Sequence, residues 1–292
     1  MKNQTIKTYK NLLDGKYVRS ESNVTKPILL NEISYNVVSS TRKDLRNSVQ
    51  SNRRALSGFS KSTALLRTQI IYRVAENLEG RKTEFLELLK ECKNSGRIKN
   101  ESPKSKKERN EVESEFNLAI NLLISLAGWP DKYSQLLSSV NPVSGDFFNT
   151  TVVEPVGVIL AYLGKSEEPL VDAIRKSVLP LISGNTVTLV VSPEYGPLIQ
   201  SFGEVLNTSD VPAGAVNILS GEESIVVENG GKHYDIDLIE VSTLREGEKE
   251  AIKTFSSESN LKKVVELKNE LNTLALINLF VEYKSIWQTI GY

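Results

Sequence analysis

The sequence predicts an α/β protein, a parallel sheet with helices packed against it, on three observations. Strand-like runs rich in β-branched and aliphatic residues recur at Val152–Tyr162, Thr186–Val191, Ala215–Leu219 and Tyr234–Val241. Two of the intervals carry apolar residues at helical spacing, Leu170, Ile174, Val178, Leu181 and Ile182 in one, Leu198, Phe202, Val205 and Leu206 in the next. Glycine and proline punctuate the change of period at Gly184 and at Pro212-Ala-Gly214. Strands that alternate with helices of about 10–15 residues form βαβ units with parallel strands and right-handed crossovers.

Each element has its own justification. The N-terminal third reads as helical. Thr41-Arg-Lys-Asp44 is a capping-box-like start, with Asp in place of the usual Glu. Leu45, Val49 and Leu56 then share a face; Leu66, Ile70, Val74 and Leu78 form the next stripe, and Phe85, Leu88, Leu89 and Cys92 a third. Residues 93–110 are polar and basic with almost no apolar anchor, which predicts a solvated loop. A helix resumes through Val112, Phe116, Ile120 and Leu123 and ends near Gly128-Trp-Pro130. Val152–Tyr162 reads as one strand with Pro155 near its start, where a ladder donor can be spared. Pro169–Ile182 reads as one helix with Gly184 at its left-handed C-terminal position. Thr186–Val191 (TVTLVV) has no alternation and so is expected to be covered on both faces. From 242 onward a charged helical stretch (REGEKEAIKTF) leads to an amphipathic, aromatic segment, Leu274–Tyr292.

Composition narrows the function classes. Lys+Arg and Asp+Glu both number 36, so no global field recruits nucleic acid or an anionic membrane surface. No apolar run approaches the roughly 20 residues that span a bilayer, and the polar start MKNQTIKTYKNLLDGK lacks the apolar segment of a signal peptide. A single cysteine suits a cytoplasmic protein. Cys92 falls on the apolar stripe of a helix and reads as a small hydrophobe, not a nucleophile. His233 stands alone in a turn beside Gly230-Gly-Lys232, without the second ligand a metal site needs. Lys165, on the loop at the carboxyl end of the first of these strands, lies where α/β sheets place ligands, but Glu167 and Glu168 flank it and an exposed loop lysine is usually only solvated; neither it nor Lys176 is expected to contact a nucleotide. Phe147 and Phe148 run into a strand and Phe280, Tyr283, Trp287 and Tyr292 line the tail; aromatics of this kind anchor interfaces.

Specific words in the pattern carry a family resemblance. Glu154-Pro-Val-Gly-Val-Ile159, Gly184-Asn-Thr-Val187 and Val211-Pro-Ala-Gly-Ala-Val-Asn-Ile-Leu-Ser-Gly221 are similar in order and spacing to segments of the aldehyde dehydrogenases. Asp14–Ser22 resembles that family's opening strand, and Arg67–Leu78 its arginine-led second helix. The resemblance implies a Rossmann-like sheet of the coenzyme-binding type over residues 1–241, with 242–292 as a C-terminal tail and the domain that carries the catalytic cysteine missing. It also exposes departures. The lysine that holds the adenosine ribose in the family falls at Val190, and the PWN motif that supplies an oxyanion-stabilising Asn is replaced by Leu163-Gly-Lys-Ser-Glu-Glu-Pro169. The glycine-led turn over the pyrophosphate becomes Val241-Ser-Thr-Leu-Arg-Glu-Gly247. Ser166 and Ser192 are weak stand-ins for cofactor contacts; no catalytic residue, metal or cofactor is expected. The chain further resembles the catalytically dead second module of double-module aldehyde dehydrogenases. That implies a companion subunit of an active dehydrogenase, or a homo-oligomer, with Phe147, Phe148 and Trp287 at the interface. The alternative is an NAD(P)-dependent oxidoreductase subunit whose site a partner completes.

Overall fold

A seven-stranded sheet organises the chain, and its order shows how it was assembled. The computed structural model describes residues 6–30, 33–94, 106–268 and 270–290. Short strands β1 (Thr8–Tyr9), β2 (Asn11–Leu13) and β3 (Lys16–Val18) come first, followed by the longer hairpin of β4 (Thr25–Leu30) and β5 (Ile33–Val38). The helices α1 (Arg42–Phe59), α2 (Ala64–Gly80), α3 (Lys82–Asn94), α4 (Lys106–Ala127) and α5 (Tyr133–Leu137) follow. Then come β6 (Ser139–Asn141), β7 (Phe147–Pro155), β8 (Val158–Leu163), α6 (Pro169–Ser177), β9 (Thr186–Val191), α7 (Gly196–Asn207), β10 (Val216–Ser220) and β11 (Leu238–Glu240). The chain continues through α8 (Glu246–Ser257), β12 (Lys263–Val265), α9 (Thr273–Asn278) and β13 (Val281–Thr289). The large sheet runs β12-β11-β8-β9-β10-β2-β3, parallel from β12 to β10 and antiparallel at the β10–β2 and β2–β3 pairs.

Side-chain alternation along buried strands builds two cores. Ile159, Ala161, Leu163, Val187, Leu189 and Val191 face α2, α3, α4, α6 and α7. Val158, Leu160, Tyr162, Val190 and Leu219 face α1, α8 and a π-helical turn, Ile225–Gly230. The expectation that Thr186–Val191 is covered on both faces holds, but one of its faces is partly polar. Thr188 Oγ1 bonds Asn52 Oδ1 (2.5 Å) and Ser48 Oγ (3.1 Å), and Asn52 donates to the carbonyls of Val187 (3.2 Å) and Gly214 (2.7 Å). All of these polar groups are buried and paired, which is what makes them affordable in a core.

Several sequence expectations need correction. Among the described residues up to Val38 the chain forms strands, not helix, and Asp14-Gly15 is the turn between β2 and β3; the first three strands, of two or three residues, are too short to show a period. Val152–Tyr162 is two strands in two sheets, broken at Val156-Gly157, because Gly157 has φ +133° and bends the chain. The helix expected over 169–182 is α-helical to Ser177 and 3₁₀ from Leu179 to Ser183, with Pro180 at the change. Gly184 does close it, at φ +87°. Tyr234–Val241 contributes only Leu238–Glu240 as strand. Leu66 is exposed while Arg67 and Ile71 take its place on the buried face of α2. Of the loop expected over 93–110, Lys93 and Asn94 end α3 and 106–110 begin α4; residues 95–105 lie outside the described residues. Beyond 241 the chain stays within the body: β12 forms an edge of the large sheet, and β13 pairs with β7 along its whole length.

Gly157 offers a test of the break. A β-carbon there would lie 2.1 Å from Asp237 Oδ2, at a φ that side chains resist. Gly157→Ala is expected to cost roughly 2–4 kcal/mol in urea unfolding. Gly247→Ala, in the open first turn of α8, should change stability by less than about 1 kcal/mol in either direction. Equal midpoints for the two variants would contradict this account of the break.

Candidate functional site

In a parallel sheet wound both ways, ligands enter the crevice outside the carboxyl ends of the strands, where the order of strand addition reverses. Here the chain adds β9 and β10 on one side of β8, then β11 and β12 on the other. The reversal point therefore lies between β8 and β11.

The chain's own loop occupies that point. Thr243 Oγ1 donates to the Tyr162 carbonyl at 2.6 Å and accepts from the Gly164 N–H at 3.1 Å, so the segment after β11 is tied across the end of β8. There is no slack: a β-carbon on Gly164 would sit 2.8 Å from the Tyr162 ring and 3.2 Å from the Thr243 carbonyl. One residue earlier, Ser242 is held from the other face. Its N–H donates to Glu240 Oε1 at 2.8 Å, and its hydroxyl accepts from Lys176 Nζ at 2.7 Å. Lys176 and Glu240 form a buried ion pair, and Glu240 also accepts from the Leu267 N–H at 3.3 Å. Lys176 is thus committed inside the protein and cannot meet a ligand.

The start of α8 is occupied in the same way. A helix N-terminus favours an anion through its unpaired N–H groups and its dipole. Glu248 supplies one, accepting the Arg245 N–H and its Nε, both at 2.9 Å. The Arg245 side chain bonded to it holds the Glu248 carboxyl below its ordinary value. Glu223 adds a second carboxylate, 3.2 Å from the Arg245 guanidinium and 3.3 Å from the Tyr162 hydroxyl. Burial, and then Glu223, push that phenol up. Val190 is wholly buried among Leu219, Val226 and their neighbours.

The remaining candidates scatter. Ser166 is engaged locally, donating to Asp172 Oδ2 at 2.6 Å and accepting from the Glu168 N–H at 3.1 Å. With exposed Lys165 it lines an open cleft of about 890 Å³ between α3, α4 and the loop before α6. That cleft is floored by Glu115, a buried carboxylate that accepts the Leu170 N–H at 3.0 Å and pairs with Lys93 at 2.7 Å. Burial pushes the Glu115 carboxyl up against the opposing pull of Lys93. Ser192 is absent from that cleft; Tyr195, three residues on, exchanges hydrogen bonds with the Ser166 backbone at 3.1 and 3.2 Å. His233 is half-buried, accepts the Asp235 N–H at Nδ1 (3.2 Å), and is lowered by burial. Among the described residues no group of three His, Cys, Asp or Glu side chains could hold a metal ion, and no helix is long and apolar enough to cross a membrane.

Phe147, Phe148, Tyr283 and Trp287 come together in a second sheet of order β13-β7-β6, whereas Phe280, just before β13, is buried in the core and offers no interface surface. Opposed residues across a ladder share a face. Phe147 and Trp287 lie on one, their rings edge-to-face with centroids 6.0 Å apart, and Tyr283 is on the same side. Phe148 lies on the other with Ile286 and Val140. Trp287 is 61% exposed, Val140 66% and Phe148 43%, so both faces present apolar surface at the distal end. Tyr292 lies outside the described residues. Sequence reasoning missed Val140 and Ile286: Val140 sits in a three-residue strand, and Ile286 falls on the side of 281–289 that otherwise carries Glu282, Lys284 and Gln288. It also missed Thr243, whose role exists only once strands some 80 residues apart are neighbours.

Comparison with known proteins gives these features a context. Residues 17–267 match the aldehyde dehydrogenase family. Human aldehyde dehydrogenase 1A1 is 29% identical over 228 residues, 76% of this chain and 42% of its own length. A 2-hydroxymuconic semialdehyde dehydrogenase from a Pseudomonas strain is 28% identical over 223 residues, 74% of this chain and 43% of its own. An aldehyde dehydrogenase from Bacillus cereus, solved as an NAD+ complex, superposes with a TM-score of 0.76 at 21% identity, covering 89% of this chain and 50% of that one. The chain spans about half the length of the curated relatives it matches.

Cys92 gives a pH-dependent test. Burial, reinforced by Glu91, Glu115 and Glu194, pushes its thiol up to about 12. Iodoacetamide at pH 8 should therefore alkylate the folded protein on the order of a thousandfold more slowly than the urea-unfolded chain. The raised value favours the protonated native form, so its stabilisation is complete below the unfolded value, near pH 8.5, and fades as pH rises toward 12. Rapid labelling of the folded protein at neutral pH would contradict this.

Proposed function

The chain belongs to the aldehyde dehydrogenase family, and from that membership we propose that it is a non-catalytic member, a companion subunit that packs on an active aldehyde dehydrogenase. The observation that carries the reading is the closure of the crevice between β8 and β11 by Thr243. A dinucleotide needs a close backbone approach for its pyrophosphate and a ribose contact. In their place stand Thr243, the Glu248 carboxylate at the start of α8, and buried Val190. These residues do not fit the coenzyme. Nor does Cys92 suit attack on an aldehyde, since the thiolate is the nucleophile and this thiol is held protonated.

The companion role draws on the β13-β7-β6 sheet. A three-stranded sheet with apolar side chains exposed on both faces calls for cover, and Phe147, Phe148 and Trp287 supply the aromatic anchors that stable interfaces use. A second reading, an NAD(P)-dependent aldehyde oxidoreductase subunit completed in trans, draws on Lys165 and Ser166 at the cleft beside the end of β8.

One experiment separates them. The protein is captured from its native host with its partner, and Phe148→Ala, Trp287→Ala and Lys165→Ala are compared. The companion reading expects an aldehyde dehydrogenase in the complex, about thirtyfold weaker association for the aromatic variants, and unchanged NADH production by the Lys165→Ala complex. It also expects no turnover by the purified chain alone. A monomer that recovers no dehydrogenase would refute it, and loss of activity with Lys165→Ala would favour the second reading.

A further inference from the structure

A small cleft at the opposite margin of the large sheet, away from the crevice, holds buried polar atoms with no protein partner. It lies between the β1–β3 segment and α7, has a volume of about 190 Å³, and is lined by Lys7, Tyr9, Lys10, Tyr17, Gln200 and Glu204 among others. Gln200 is 1% exposed. Its Nε2 donates to the Ile218 carbonyl (3.3 Å) and to Ser220 Oγ (3.1 Å), which fixes the amide orientation and leaves Oε1 without a donor. The Tyr17 hydroxyl is likewise buried and unpaired. The two stand on the same side of α7, because Tyr17 packs its hydroxyl against Gly203, one turn beyond Gln200. A β-carbon on Gly203 would lie 3.5 Å from that oxygen. Buried polar groups without partners are costly, and two lining one cleft mark a place where a ligand repays that cost.

The chemistry of the lining selects the ligand. Gln200 Oε1 demands a donor. A ligand ammonium would be repelled by Lys7 and Lys10, so a hydroxyl is the better donor, and the neutral Tyr17 phenol can bond it as well. Burial keeps that phenol protonated. Glu204 does not oppose an anion strongly, since its carboxylate is bound to Arg81 at 2.7 Å. Lys7 and Lys10 are exposed and make no ion pair among the described residues; the Lys7 ammonium lies 4.4 Å from the Tyr9 ring centroid. They offer two cations to a carboxylate. The volume falls below the roughly 300–1,000 Å³ of drug-sized sites, which restricts the ligand to a small metabolite.

We propose that this cleft binds a small hydroxycarboxylate, its hydroxyl on Gln200 and Tyr17 and its carboxylate on Lys7 and Lys10. The site is separate from the crevice and does not depend on the companion role. L-malate and succinate, which differ by one hydroxyl, are the probes, titrated calorimetrically into the intact protein. L-malate is expected to bind about tenfold or more tightly than succinate. Tyr17→Phe should remove about fivefold or more of the L-malate affinity while leaving succinate unchanged. Lys10→Ala, at an exposed position that folding does not need, should weaken both. Gln200→Met should abolish the preference for L-malate. Equal affinity for the two acids, no binding of either, or L-malate binding indifferent to Tyr17→Phe and Lys10→Ala would overturn the proposal.

Discussion

One buried amide joins the two sheets. Asn185, wholly buried, accepts the Gly157 N–H at Oδ1 (2.8 Å) and directs Nδ2 to the carbonyls of Pro180 (3.1 Å) and Phe280 (2.9 Å) and to Ser183 Oγ (2.7 Å). Gly157 is the bend between β7 and β8, and Phe280 immediately precedes β13. A single side chain thus fixes where the large sheet begins, where the turn before β9 ends, and where the late segment returns to pair with β7. Without it several buried groups would lose partners at once, each at a cost of about 1–3 kcal/mol. The projection of the β13-β7-β6 sheet, with aromatics on both faces, follows from this anchoring.

At the other end of the same strands the chain closes on itself. Opening the crevice between β8 and β11 would break the two Thr243 bonds and disturb a loop that Lys176 and Glu240 hold from beneath. A buried ion pair is costly when one partner is removed but stable when both are satisfied, and this pair has Ser242 and Leu267 completing it. A coenzyme would have to displace these contacts and then place phosphates beside Glu248 and Glu223. On the proposed reading, the chain's own side chains fill the positions a nucleotide would use.

Much of this was legible in the sequence, for physical reasons. Thr186–Val191 and Gly184 could be read because an unbroken β-branched run and a glycine at a left-handed position each have one strong structural meaning. The Thr41–Asp44 cap was legible in the same way: the Asp44 carboxylate accepts the Thr41 N–H at 2.7 Å. Other features needed three dimensions. The bend at Gly157 hides inside a continuous apolar run, since strands from two sheets are equally hydrophobic. The polar seam of Ser48, Asn52 and Thr188 is invisible because its members are far apart in sequence. Phe147, Phe148 and Trp287 were identifiable as aromatics, but their division between two faces depends on a register that pairs Asn149 with Trp287. Thr243 carries no local signal at all.

The central claim is that the chain fills its own nucleotide crevice, and calorimetric titration of the purified protein with NAD+ and NADP+ tests it most directly. The account predicts no saturable binding at concentrations up to about 1 mM. A dissociation constant in the low micromolar range would contradict it.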